Sequence, residues 1–401
     1  MRYQALDGWR GVTAILVAIF HLNVYDHFHS FGLVQHAFYY VDFFFVLSGF
    51  VISATYERKI VDNESLRLFI VRRIGRIYPL HLTILSAFVA VELAKTLAYS
   101  LGASFRFPPF EDPNDLTSVI TSILLLKSFG IHNDLTWNFT SWSISSEFYV
   151  YIVFGLLVSL TSMTAKRLRY TFFATTLALG AVILMLFSPR GIDATYDFGF
   201  FRCLYGFFCG VFVWKFYQYR PVRSLPFASI WEIAILIAAS SFVIYVDPHG
   251  KLSFTAPLLL SIMVYIFAFQ GGIVSRILIL KPFQVLGKIS YSIYLVHAFI
   301  VINIIDRAAS LFQKVFSIQI MQAASGTDES GFVAGETVIN LGTAFQGDLL
   351  CVAYILLVVG VSYCTFTYIE VPWQSRLNRG DISAMARSRI TPAAVFSKSG
   401  P

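Results

Sequence analysis

Residues 349–369 read LLCVAYILLVVGVSYCTFTYI, twenty-one positions without one charged side chain. An α-helix rises about 1.5 Å per residue, so this stretch is long enough to cross the roughly 30 Å hydrocarbon core of a bilayer. No water meets the backbone there, and a helix is the way one segment closes its own N–H and C=O groups. Working outward, comparable apolar stretches recur at 6–24, 37–56, 78–100, 142–160, 171–187, 199–216, 230–246, 254–269 and 283–305. The fold expected is all-α: a polytopic membrane bundle of about ten transmembrane helices. Composition agrees, with 57% hydrophobic and only 13% charged residues, against about 25% charged in soluble domains. A shorter apolar piece, 116–129, contains Lys127 and is expected as an interfacial or re-entrant helix rather than a crossing.

The formal charge of +7 would suit nucleic acid if it were gathered on one soluble face, but it is not. With the N-terminus inside, the outer connections hold only Arg106, Lys127, Arg190, Lys251, Arg307 and Lys314. Lys95 and Arg202 fall within spans, and the other lysines and arginines gather on the inner side. That asymmetry is the positive-inside pattern for ten crossings with both termini cytoplasmic, and no nucleic-acid partner is expected. The helical domain is expected over 1–375, with a polar, disordered cytoplasmic tail over 376–401. The first apolar run carries Arg10 and His21, unlike the core of a cleavable leader. Cys203, Cys209, Cys351 and Cys364 all lie in apolar segments without a CxxC pair, so they read as small core residues. No clustered histidines accompany them, and no metal site is expected.

Ionisable side chains inside spans are costly, and by default they mark function. Arg10 and His21 stand 11 positions apart, three helical turns and about 16 Å of rise, and so share one face of the first helix. Asp42 opens the returning helix at a similar depth to His21. A carboxylate beside an imidazole fixes its tautomer and raises its basicity, as a general base requires; the same pair could simply stitch two helices together. Arg72, Arg73 and Arg76 cluster at helical spacing, which suits bidentate phosphate binding or ordinary positive-inside anchoring. Ser143, Glu147 and Tyr151 form a polar stripe on the fourth crossing, with Arg202 of the sixth as a candidate counter-ion. Ser290, Tyr294 and His297 share a face at i, i+4, i+7; His297 either positions a substrate or bonds a neighbouring helix. Glu370 falls at the inner boundary, where arginines are at hand.

These strings occur in an order that resembles the acyltransferase-3 family of membrane acyltransferases. The resemblance rests on LDGWRG at 6–11 with His21, VDFFFVLSGF at 41–50, RRIGRIYP at 72–79, WSISSEFY at 142–149, LGKISYSIYLVH at 286–297 and EVP at 370–372. It covers nearly the whole chain. Trp9 departs from the smaller aliphatic residue common there, and SISSEFY departs from the commoner SLxxEWxFY. No esterase-like domain is expected after the helices, unlike in longer members.

The resemblance implies a helical bundle in a bacterial inner membrane that moves acetyl or another acyl group from cytoplasmic acyl-coenzyme A to a hydroxyl on the far side. The acceptors it implies are glycans or lipid-linked saccharides, with polysaccharide-biosynthesis proteins as possible associates. The coenzyme is then a donor substrate rather than a resident cofactor. By motif, His21 corresponds to the family's essential first-helix histidine, and Arg10, Asp42 and Arg72, Arg73 and Arg76 to its other motif residues. In the mechanism this suggests, the arginines hold the coenzyme's phosphates. His21, oriented by Asp42, then takes the acceptor's proton, or alternatively carries the acyl group itself. The rival from another class is a proton-coupled transporter or flippase with His21, Asp42, Glu147 and Arg202 as a relay; the internal repeat common in such folds is missing from the sequence.

Overall fold

Apolar sequence sets the helices and polar caps set where they begin. In the computed structural model, which describes residues 2–105, 108–220, 224–324, 332 and 336–376, the helices run in the order α1 (Gln4–Phe20), α2 (Gly32–Gln35), α3 (Tyr40–Tyr56), α4 (Asn63–Ser100), α5 (Leu116–Ile123), α6 (Ser141–Leu160) and α7 (Lys166–Phe187). Then come α8 (Gly199–Tyr219), α9 (Ala228–Tyr245), α10 (Ala256–Ala268), α11 (Ile273–Leu278), α12 (Lys281–Ile300), α13 (Asp306–Phe316) and α14 (Ala344–Thr365). Among the described residues, nine helical stretches are long and apolar enough to cross a membrane. The tenth expected crossing is α1, whose 17 residues sit at the lower limit of spanning length. Of the expected tail all but Arg376 lies outside the described residues, as do Arg106 and Arg223.

Three elements exceed the lengths expected. The helix expected from residue 78 begins at Asn63, because Asp62 caps it: the Asp62 carboxylate accepts from Ser65 N–H and the Ser65 hydroxyl reaches back, a reciprocal cap for two orphan donors. Arg67, Arg72, Arg73 and Arg76 therefore stand on a helix rather than in a connection. Helix α12 continues through a π turn (Val301–Ile305) into α13, and α14 through another (Phe366–Glu370) to Arg376. The 116–129 piece forms only the eight-residue α5, capped by Asp115.

The core is set by close helix crossings. Gly49 of α3 faces the Phe207 carbonyl of α8, and Gly210 of α8 faces the Val46 carbonyl of α3; an added Cβ would come to 1.8 and 1.9 Å of those oxygens. Gly287 of α12 meets the Asp7 carbonyl of α1 at 2.1 Å by the same measure. Small residues let membrane helices approach this closely, and dispersion then holds them. Helices α3 and α8 are two-thirds buried (67%), whereas α7 and α9 keep 22% and 28% and form the lipid-facing rim. Among the cysteines, Cys203, Cys209 and Cys351 are buried as expected, while Cys364 on α14 is exposed, toward the apolar surroundings of that helix.

Both long connections expected on the outer side fold back onto the end of α1. The second contributes a small antiparallel pair, β1 (Met321–Ala323) with β2 (Thr337–Ile339). Ile339 exchanges backbone hydrogen bonds with Asn23 and Tyr25, which ties this connection to the chain just past His21.

Candidate active site

Arg10, Arg73, Arg76, Ser143, Glu147 and Tyr294 line a cavity of about 290 Å³ between α1, α3, α4, α6 and α12. Its wall on α3 runs from Val41 to Tyr56, fifteen residue steps and so about 22 Å along the helix axis. The cavity is thus a long slot parallel to the helices. Guanidinium groups mark one end. Arg73 donates from Nη2 to the Tyr56 hydroxyl (3.2 Å) and stacks near the rings of Tyr56, Phe69 and Tyr151, while its Nε is buried without a partner. Arg10 donates to Ser290 Oγ at 3.2 Å and lies 3.5 Å from Asp7. Arg72 does not line the cavity; it stands about 100° around α4 from Arg73.

Glu147 faces this slot beside the arginines. Tyr151 donates its hydroxyl proton to Glu147 Oε1 at 2.5 Å, and Ser48 Oγ lies 2.8 Å from the same phenol. The counter-ion expected for Glu147, Arg202, is elsewhere. Its Nε and Nη2 bond the two carboxylate oxygens of Asp42 at 3.0 and 2.8 Å, and both side chains are fully buried. Nη1 and Nη2 also donate to the Ala194 and Phe38 carbonyls, and the guanidinium lies over the Trp142 ring. This fork-to-fork pair engages both carboxylate oxygens, so Asp42 pairs with Arg202 rather than with His21.

That corrects the expected His21–Asp42 pair. The partner of His21 is His297, whose Nε2 lies 3.2 Å from His21 Nδ1. Each ring also points Nδ1 at the carbonyl one turn earlier, His21 at Val17 (2.8 Å) and His297 at Ile293 (2.9 Å). A carbonyl accepts, so both Nδ1 atoms carry hydrogen. The His297 Nε2 lone pair then accepts a share of the His21 Nδ1–H, and the His21 lone pair is left on Nε2. Such an imidazole is set up as a base or nucleophile, with a neutral ring rather than a carboxylate behind it. The four residues of the transporter reading are also divided: Asp42 and Arg202 pair with each other, Glu147 bonds Tyr151 and His21 meets His297.

The cavity stops short of these rings. Phe44, Ser143 and Tyr294 line its far end; the Tyr294 ring centroid is 5.8 Å from that of His297, which is 5.1 Å from His21. Ser290 and Tyr294 thus face the slot while His297 faces His21, the single face read from their spacing. Glu370 accepts from the Ser292 hydroxyl, and of the arginines expected near it, Arg76 and Arg10 lie close enough to act on its charge.

Sequence reasoning missed the cover over the histidines. Phe139 packs on His21, with centroids 4.8 Å apart. Its neighbours hold it there: Asn138 Nδ2 donates to the Leu295 carbonyl and Thr140 Oγ1 to the Tyr294 carbonyl. Lys127, the charge that interrupted the 116–129 piece, donates to the Thr136 and Asn138 carbonyls and to Ser141 Oγ. Burial pushes its ammonium down to about 7. A lysine inside a short apolar run was the available signal. Among the described residues no group of three or more His, Cys, Asp or Glu could hold a metal ion.

A sequence profile described as an acyltransferase domain matches residues 3–367. The peptidoglycan O-acetyltransferase OatA of Listeria monocytogenes is 28% identical over 316 residues, which is 73% of this chain and 48% of that protein. The O-acetyltransferase OatA of Staphylococcus aureus is 24% identical over 320 residues, 73% and 49% respectively. Protein 2 in the picA locus of Rhizobium radiobacter is 28% identical over 194 residues, 46% of this chain and 94% of that one. The chain spans about half the length of both O-acetyltransferases. No solved structure matches. A helical multi-pass chain whose match runs over nearly its whole length, this protein belongs to the acyltransferase-3 family.

Proposed function

We propose that the protein is a membrane O-acetyltransferase that takes an acetyl group from acetyl-coenzyme A on its basic side and passes it to a glycan hydroxyl on the opposite side of the bilayer. The observation that carries this reading is the slot itself, with guanidinium groups at one end and a base-ready imidazole just beyond the other. Arg73 and Arg76, with Arg10 further in, supply fixed positive charge for the donor's phosphates. The slot gives the pantetheine arm a path along the helices, with Phe44, Leu47, Val51 and Ile77 on its walls. His21 Nε2 takes the proton from the acceptor hydroxyl as its oxygen attacks the thioester carbon, and the departing thiolate takes that proton back. The His297 lone pair and the Val17 carbonyl both face the Nδ1–H of the imidazolium that forms in between. Meeting a bulky donor and a glycan at one imidazole is largely proximity catalysis.

Two relatives are named for O-acetyl transfer, one of them on peptidoglycan, so peptidoglycan glycan strands are the first acceptor to supply. The test uses proteoliposomes with labelled acetyl-coenzyme A on the basic side and soluble glycan strands on the other. Base-labile label on the strands, with an equal yield of free coenzyme A, is the expected result. Uptake of intact donor or glycan without ester formation would favour a carrier instead. His21→Ala should remove transfer while leaving the protein folded and inserted.

A further inference from the structure

The reaction proposed above places a negative charge on the thioester oxygen as the hydroxyl adds, and neither histidine is free to bond it. His21 Nε2 holds the lone pair that takes the proton, and the Nδ1–H groups of both rings are spent on carbonyls. A donor has to come from the cavity wall at its far end.

Tyr294 occupies that place. It lines the cavity and is 8% exposed, and its ring lies against that of His297. Ser143 Oγ donates to the Tyr294 phenol oxygen at 2.8 Å, the nearer of its two acceptors, the other being the Thr140 carbonyl at 3.3 Å. The phenol's own proton is then directed away from Ser143, and the space both residues face is the slot. Its position is held from three sides: Phe44 packs edge-on against the ring, Thr140 bonds the Tyr294 carbonyl, and Ser143 fixes the hydroxyl. A fixed donor beside a reacting carbonyl costs little reorganisation when charge develops.

We propose that Tyr294 is a catalytic residue of this transfer, donating its phenolic O–H to the thioester oxygen, and that Ser143 is a positioning residue acting through it. The inference rests on the acetyl-transfer reading. In the step it describes, the acceptor oxygen bonds the thioester carbon and its proton goes to His21 Nε2. The carbonyl π pair moves to oxygen and is held by Tyr294 O–H. That pair then returns, the C–S bond breaks, and the thiolate takes the proton from His21. Ester and thiol are the products, and Tyr294 ends as it began.

The test compares the parent protein with Tyr294→Phe and Ser143→Ala in proteoliposomes given labelled acetyl-coenzyme A and glycan strands. The phenylalanine keeps the ring that packs on His297 and removes the donor alone. Loss of one oxyanion donor costs about 10²–10³ in turnover, so kcat should fall by that factor in Tyr294→Phe. The donor KM should stay within about threefold, and Ser143→Ala should lose less. A coenzyme A analogue with a ketone in place of the thioester, which develops no oxyanion, should bind Tyr294→Phe as it binds the parent. Retention of half or more of the parental kcat overturns the proposal, as does a loss carried by KM or by weaker ketone binding. If Tyr294→Phe does not fold, 3-fluorotyrosine at 294 decides: a changed kcat at constant KM supports the role, and an unchanged kcat overturns it. An inactive parent protein would instead overturn the acetyl-transfer reading.

Discussion

Replacing Asp42 by Ala should unfold or severely destabilise the protein rather than remove a catalytic group. The carboxylate meets Arg202 at 3.0 and 2.8 Å, and neither side chain is exposed. Removing one partner of such a pair leaves an uncompensated buried charge, which costs about 3–5 kcal/mol. Replacing both partners by apolar residues removes the charge with its counter-charge and is often close to neutral. Here two carbonyls, Phe38 and Ala194, would lose a donor, so Asp42→Leu with Arg202→Met should recover part of the loss, leaving a coupling of about 2 kcal/mol or more between the sites. The assay is a double-mutant cycle on thermal unfolding in detergent, with acetyl transfer measured on each variant that folds. The account expects transfer to return with folding in the double variant. A double variant that folds like the parent yet remains more than a hundredfold slower would show that Asp42 acts in the chemistry, and the assignment of His297 in its place would fall.

Three further outcomes follow from other contacts. His297→Phe removes the lone pair facing His21 Nδ1; a hydrogen bond to a charged group contributes about 1.5–3 kcal/mol, so kcat should drop roughly ten- to a hundredfold at constant KM, and an unchanged kcat would leave His297 purely structural. Gly49→Leu drives a side chain into the Phe207 carbonyl of α8 and should cost at least the about 1–3 kcal/mol of an overpacked core, read as lost folded yield; normal yield would mean that the crossing is loose. Lys127, lowered by burial to about 7, binds its proton more weakly in the folded than in the unfolded chain, so its contribution makes stability rise with pH from about 7 toward the unfolded value. Between pH 6 and 8.5 the gain is about 2 kcal/mol, and Lys127→Met should abolish that slope in unfolding measurements; an identical slope in the variant would remove Lys127 as its source.

The extent of what the sequence reveals follows the physics of each feature. Apolar length is a one-dimensional property, so residues 349–369 announce a crossing without reference to any neighbour, and the bundle was readable from stretches of that kind. Spacing along one helix is also local, which is why Ser290, Tyr294 and His297 were grouped correctly on α12. Partner choice between helices is not local. Counting along the first two crossings puts Asp42 at the depth of His21, yet the packing of α3 against α8 at Gly49 and Gly210 turns it toward Arg202. The cap on α4 was written in Asp62 and Ser65, but hydropathy gave it no weight, and a polar 63–77 read as a connection. Phe139 carried no signal at all: one phenylalanine among forty becomes distinctive only when the connection folds over His21.

The central claim is that the donor's acyl carbon reaches His21 Nε2, and bromoacetyl-coenzyme A measures this directly. Its electrophilic carbon occupies nearly the place of the acetyl group and alkylates whichever nucleophile it meets. The account predicts a single major adduct on the His21 peptide by mass spectrometry, suppressed by excess acetyl-coenzyme A and weakened by Arg73→Ala. Adducts confined to cysteines or to residues at the arginine end, with His21 unmodified under conditions that inactivate the protein, would contradict it.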